Sequence, residues 1–427
     1  MDIGASNPRG SLKVSAKTDD GQDIFTKSGG FVNDTAEGFD SSQDFVNKVG
    51  KIISETYNQV QAMAKDNKLK PGEEKLSGVG IFVPGTVVGD NIAFIPNLKD
   101  KNGESLHDVD FKPYKDELQN APAEQTGIDV NKDMFKFRVT KDLGGAGLGI
   151  AKIMAKQDNL HEGDYVMGIM TGGGFGSVDI KVKHGNVEVE TSESSSYLTH
   201  DFINGNMEKL GRLGVSVKSH ISRFMDTIGM SEMTPVVLKA GDARLVTNNE
   251  IHVHNNNKAL IDELLVDPRF KIKSKDDKDT IIELDESNPK FAQKMKASRT
   301  EAVNNYADSV SLIAVNKIND CMDKIVLVGP FAHGVNQHIK DHQDLYGAKD
   351  LPDLIEQKID KRIKDVDLPS TRGLKNLYSL KIVCDDSINF PNNTFAGDLL
   401  LNDKLNFVND GKRGNWMDVP LQTLKES

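Results

Sequence analysis

The chain has 427 residues, too many for one small core and enough for two domains or one two-lobed unit. Its 53 basic residues stand against 64 acidic ones, a net charge of -11, which argues against a nucleic-acid surface or an anionic membrane as partner. Only Cys321 and Cys384 are present, a sparse usage that points to a reducing compartment. The start shows no basic-then-apolar leader, and no apolar run reaches the ~18 residues of a membrane span, so a cytoplasmic location is expected.

The opening "MDIGASNPRG" gathers an acidic residue, two glycines and a serine. By itself it reads equally as a frayed end or as a built turn. "GSLKVSAK" and "QDIFTKS" then alternate like two short strands of a meander. In "SSQDFVNKVGKIISETYNQVQAMAKD" the apolar residues Phe45, Val46, Val49, Ile52, Ile53, Val60 and Met63 recur at three- and four-residue steps. With Ser41 and Ser42 ahead of them, an amphipathic helix follows. "GVGIFVPG" is a continuous apolar run with a Pro-Gly stop, the pattern of a buried strand. "KDLGGAGLGIAKIMAKQ" predicts a helix rich in small residues.

"YVMGIMTGGGFGSVDIKVKHGNVEVE" predicts a strand, a glycine turn and two further strands around a His-Gly-Asn turn. The stretch near 205–298 is polar and weakly periodic, and is expected as helices and a hairpin inserted on one lobe. A long amphipathic helix, "RTEAVNNYADSVSLIAVNKINDCMDK", leads into the buried strand "IVLVGPFAHG". A helix in "LPDLIEQKIDKRIKDV" and a strand in "LKIVCDD" complete the order. Two meander-helix-strand units in tandem suggest an internally duplicated α/β fold, although no sequence repeat is visible.

"TGGGFG", Thr171 to Gly176, lies between two strands rather than between a strand and a helix. That excludes a Rossmann turn and a P-loop, each of which opens a helix. A glycine hairpin between strands can still turn consecutive N–H groups toward a phosphate, because no Cβ blocks the approach. The bland alternative is a purely structural turn. "DIGAS" has the same character.

The pairing resembles the sugar kinases of the actin, Hsp70 and hexokinase superfamily, and within it the ROK and bacterial glucokinase branch. Five stretches carry the resemblance in order: "DIGAS", "GVGIFVPGTVVGDNIAFIPNLKD", "VTKDLGGAGLG", "MGIMTGGGFGS" and "DKIVLVGPF". It implies a two-lobed, duplicated ribonuclease-H-like fold with a nucleotide cleft between the lobes. It implies an N-terminal lobe over 1–141 and a C-terminal lobe over 142–395, with 396–427 packing back on the first. The implied reaction is transfer of a phosphoryl group from ATP, with Mg2+, to the hydroxyl of a sugar, a hexose first among them. A homodimer is a possible assembly.

Residue by residue, the resemblance makes Asp142 the base that takes the proton of the attacking hydroxyl, where the alternative is a helix N-cap. Asp2 would stand near the metal ion. Gly4, Ser6, Thr171, Gly172 and Gly173 would hold phosphates, and Gly329 would pass under the adenosine. Asn97 in "PNL" would contact sugar hydroxyls. Glu193 and His200 in "ETSESSSYLTHDF" would supply the acid and imidazole of the sugar site. The departures are Lys141 where an Asn is usual, Met170 for the first glycine of the second phosphate turn, and Gly-Pro where Gly-Gly is expected. The cysteines cannot build the branch's zinc cluster. Two rivals stand beside the kinase: a catalytically impaired sugar- and nucleotide-binding sensor of the same fold, and an ATPase of the actin or Hsp70 kind.

Overall fold

A computed structural model describes residues 9–17, 23–32, 39–65, 75–171, 175–192, 216–318, 320–365, 380–385, 388, 397–409 and 415–426. The chain is mixed α/β, as its alternation of strands and helices predicts, and divides into two compact units. The first comprises Met1–Gly163, Val178–Thr191 and Pro391–Ser427; the second comprises Asp164–Ser177 and Ser192–Phe390.

In the first unit, the strands Arg9–Lys17 and Asp23–Val32 pair antiparallel. The helix Ser42–Lys65 follows. At its start the Asp44 N–H donates to Ser41 Oγ, and the Asp44 carboxylate accepts the Asp40 N–H, so side chains satisfy donors the helix leaves open. Phe45, Val46, Val49, Ile52 and Ile53 are buried, the periodic stripe turned inward. They join Phe39 and Phe111, with Phe39 and Phe45 edge to face at 5.2 Å.

The strands Gly78–Val83 and Lys136–Lys141 pair in parallel, from Gly78 opposite Lys136 to Val83 opposite Lys141. Val79, Ile81, Phe82 and Val83 are all buried, so "GVGIFV" reads as an unbroken apolar run. The helix Asp142–Lys156 then lies close to the strands behind it. A Cβ on Gly147 would fall 2.5 Å from Val178 Cγ2 and 2.6 Å from Val189 Cγ1. Gly147 is therefore what that approach requires. The strand Asn415–Pro420 pairs antiparallel with Asn186–Ser192, and the helix Leu421–Glu426 packs on Asp142–Lys156 with an ion pair of 2.9 Å between Lys425 and Asp158.

In the second unit, Lys324–Val328 runs parallel to Tyr165–Thr171 on one side and to Lys381–Val383 on the other. The helix Pro289–Ile318 buries Met295, Val303, Tyr306, Ala307, Val310 and Ala314. The stretch near 205–298 holds helices and a hairpin, Phe270–Lys275 with Asp279–Leu284, to which Glu250–His254 adds a third strand in the order Glu250–His254, Asp279–Leu284, Phe270–Lys275. Its apolar residues are also part of the unit's main core: Ile221, Phe224, Val237, Leu245 and Ile251 share one buried cluster with Val310, Leu327 and Phe331. The polar look of "NNEIHVHNNNK" comes from strand alternation, with Ile251 and Val253 buried between half-buried Glu250, His252 and His254.

Candidate functional site

The first unit places two of the expected stretches at the carboxyl end of one parallel strand pair, the end at which open α/β sheets form ligand sites. Val83 and Lys141 are register partners there. One strand leaves through Pro84-Gly85 and the other enters the helix at Asp142. Lys141, extended at φ -64° and ψ 145°, is the flanking residue of that helix and makes no side-chain cap. Asp142 is thus the first helical residue rather than the N-cap. Its Oδ1 accepts the N–H of Leu143 at 2.8 Å, and the residue is half-buried. The first turn of a helix favours negative charge. Lys141 itself is buried.

Gly85 explains the Pro-Gly signature. Its φ is +153°, and a Cβ there would sit 2.2 Å from the carbonyl oxygen of Phe94. Only glycine admits so close a crossing, which clamps the turn against the strand Asn91–Lys99. That strand pairs with Ser105–Asp110, and its register jumps between Ile95 and Lys99. Asn97 lies in this irregular stretch, where a bulge breaks the strict alternation of a strand.

The second unit brings Thr171 and Gly329 together. They follow Met170 and Val328, register partners at the carboxyl end of a parallel pair. Gly329 has φ +101°, and a Cβ on it would stand 3.2 Å from the Thr171 carbonyl oxygen. Gly329 opens the helix Pro330–Asp341, with Pro330 in the first turn where a missing N–H costs nothing. Backbone N–H groups at such a helix start suit an anion, and a position free of Cβ suits the flat face of a nucleoside. The Thr171 side chain faces inward: the residue is fully buried, and its Oγ1 lies 3.1 Å from the Tyr306 hydroxyl.

Sequence reasoning missed what supports this pair. Tyr306 and Phe331 meet edge to face at 5.2 Å, and the His220 ring lies 4.7 Å from Phe331. His220 Nε2 is buried and has no hydrogen-bond partner among the described residues. Burial, helped by the Arg223 charge, pushes its pKa down to about 3, so the ring is neutral. Cys384 Sγ lies 4.0 Å from His333 Nε2. Phe331 ends the stretch "DKIVLVGPF", but Tyr306, His220, His333 and Cys384 fall in no recognisable motif.

Asp2, Gly4, Ser6, Gly172, Gly173, Glu193 and His200 lie outside the described residues. Among the described residues no group of three or more His, Cys, Asp or Glu could hold a metal ion. No described helix is long and apolar enough to cross a membrane.

No family model matches the chain, and no curated protein does. Solved structures similar to it include a glucokinase from Balamuthia mandrillaris in complex with glucose, at 12% identity over 93% of this chain and 92% of that one, TM-score 0.47. Another is a ROK family transcriptional regulator, a homolog of the E. coli MLC protein, at 14% identity over 98% and 79%, TM-score 0.46. A third is a ROK family glucokinase from Streptomyces griseus in complex with glucose and AMPPNP, at 12% identity over 80% and 86%, TM-score 0.37. The chain resembles glucokinases, hexokinases and ROK proteins in fold.

Proposed function

We propose that the chain is an ATP-dependent sugar kinase with Asp142 as its general base. The observation that carries this reading is the position of Asp142. It begins a helix at the carboxyl end of a parallel strand, beside the strand that leaves through the Gly85 crossing toward Asn97. A carboxylate there can accept the proton of an attacking hydroxyl, provided that hydroxyl comes within hydrogen-bond reach. Asn97 orients the acceptor sugar by its amide, with Glu193 and His200 completing the polar contacts. ATP with Mg2+, when bound, supplies the transferable phosphoryl group. Gly4, Ser6, Gly172 and Gly173 would hold the phosphates, Asp2 would stand near the metal ion, and Gly329 would pass under the nucleoside. Catalysis of this kind is mostly positioning and charge stabilisation. The protein acts in the cytoplasm on a small-molecule sugar, a hexose in the first instance, without nucleic acid or membrane.

The sensor reading is favoured by one observation, the buried Lys141 next to the proposed base. A coupled assay of ATP consumption over a panel of hexoses, amino sugars and N-acylated sugars decides between them. Turnover with one sugar and none without sugar supports the kinase. Binding of sugar and nucleotide without turnover supports the sensor, and turnover without any sugar supports the ATPase.

A further inference from the structure

We infer that Tyr306 is the positioning residue of the nucleotide site, and that the Thr171 hydroxyl is its anchor point rather than a phosphate ligand. The inference rests on the nucleotide reading of Thr171, Gly329 and the glycine turn given above. Three contacts carry it. The Tyr306 hydroxyl lies 3.1 Å from Thr171 Oγ1, at the last residue before that turn. The Tyr306 ring meets Phe331 edge to face at 5.2 Å, two residues after Gly329. Gly329 in turn closes on the Thr171 backbone, where a Cβ would come within 3.2 Å of its carbonyl oxygen. One side chain of the long helix thus braces the ends of two neighbouring parallel strands.

The alternative use of Thr171, a hydroxyl offered directly to a phosphate, conflicts with its surroundings. The residue is wholly buried and its hydroxyl is already engaged. Tyr306 is also fully buried, and burial raises the pKa of its phenol, so it remains a neutral donor or acceptor at any working pH. A hydrogen bond between two neutral buried groups is worth little net, but leaving one partner alone is costly. The pair therefore holds the end of the strand Tyr165–Thr171 in one place.

The test is titration calorimetry with Mg·ATP, adenosine and glucose on the parent chain, Tyr306→Phe, Thr171→Val and the double variant. Tyr306→Phe keeps the ring against Phe331 and removes only the hydroxyl. Each single variant should weaken Mg·ATP by about 5- to 10-fold, the scale of one lost buried hydrogen bond. Adenosine and glucose should stay within about two-fold, because neither uses the glycine turn. The double variant leaves no buried hydroxyl unpaired, folds even if a single variant does not, and should bind Mg·ATP no more weakly than the worse single. If Thr171→Val weakens Mg·ATP and Tyr306→Phe does not, the hydroxyl touches phosphate and the inference is overturned. If the parent binds Mg·ATP and every variant matches it, the brace is wrong and the nucleotide reading stands. A parent that binds no Mg·ATP removes the nucleotide reading and the brace with it.

Discussion

Asp142 separates a chemical role from a structural one with a single atom exchange. Asp142→Asn keeps an acceptor for the Leu143 N–H but cannot take a proton. Turnover should fall by roughly 100-fold or more while sugar and ATP affinities hold, since general-base catalysis contributes on that scale. A variant with near-normal turnover would reduce Asp142 to a helix-start residue. His220 makes a prediction about pH. Its folded pKa is depressed to about 3, whereas in the unfolded chain it sits near 6.5. The unfolded state then binds the extra proton over this window, so stability is full above about 6.5 and declines as pH falls toward 3. At pH 5 the loss from this one group is about 2 kcal/mol. His220→Phe should flatten the drop in melting temperature between pH 7 and 5; an unchanged slope would mean that the ring takes up its proton in the fold.

At the level of elements, the helix Asp142–Lys156 offers a contrast between two glycines in similar sequence. A Cβ on Gly147 would meet two stiff valines, at 2.5 Å on Val178 and 2.6 Å on Val189. A Cβ on Gly144 would meet chiefly the tip of Met417, at 2.6 Å, a flexible group that can turn aside. Gly147→Ala should therefore destabilise by about 1–2 kcal/mol despite its better helix propensity, as overpacking does. Gly144→Ala should be neutral or slightly stabilising. Equal effects in chemical denaturation would show that propensity rather than packing decides both sites. The glycine run was visible in the chain as a helix of small residues. Which glycine is obligatory was not, because Val178, Val189 and Met417 reach the helix from strands 31 to 273 positions further along the chain.

For the whole molecule, the kinase reading requires separable ligands. A ligand that binds only the native state stabilises it by about 2.7 kcal/mol at 100 times its dissociation constant. Glucose and Mg·ATP should each raise the melting temperature alone, and Asn97→Ala should abolish the glucose shift while leaving the Mg·ATP shift intact. A shift with Mg·ATP only, in the parent, would favour the ATPase reading. The described structure already separates the local settings: Asn97 and Asp142 belong to the first compact unit, Thr171 and Gly329 to the second.

What the amino-acid sequence determined by itself was everything carried by local period and local steric demand. The stripe from Phe45 to Ile53, the apolar run Val79–Val83 and the stop at Gly85 each encode their element within a few residues. Side-chain spacing is set by helix and strand repeat, and a φ of +153° is a demand on one residue alone. The tertiary structure decided what depends on residues far apart in the chain. The polar stretch near 205–298 became core because its scattered apolar residues gather only when folded against the long helix. The Thr171 hydroxyl turned inward because Tyr306, 135 positions away, meets it there. No pattern in one segment can announce a partner in another, since a hydrogen bond is specified by both ends and by the packing that brings them together.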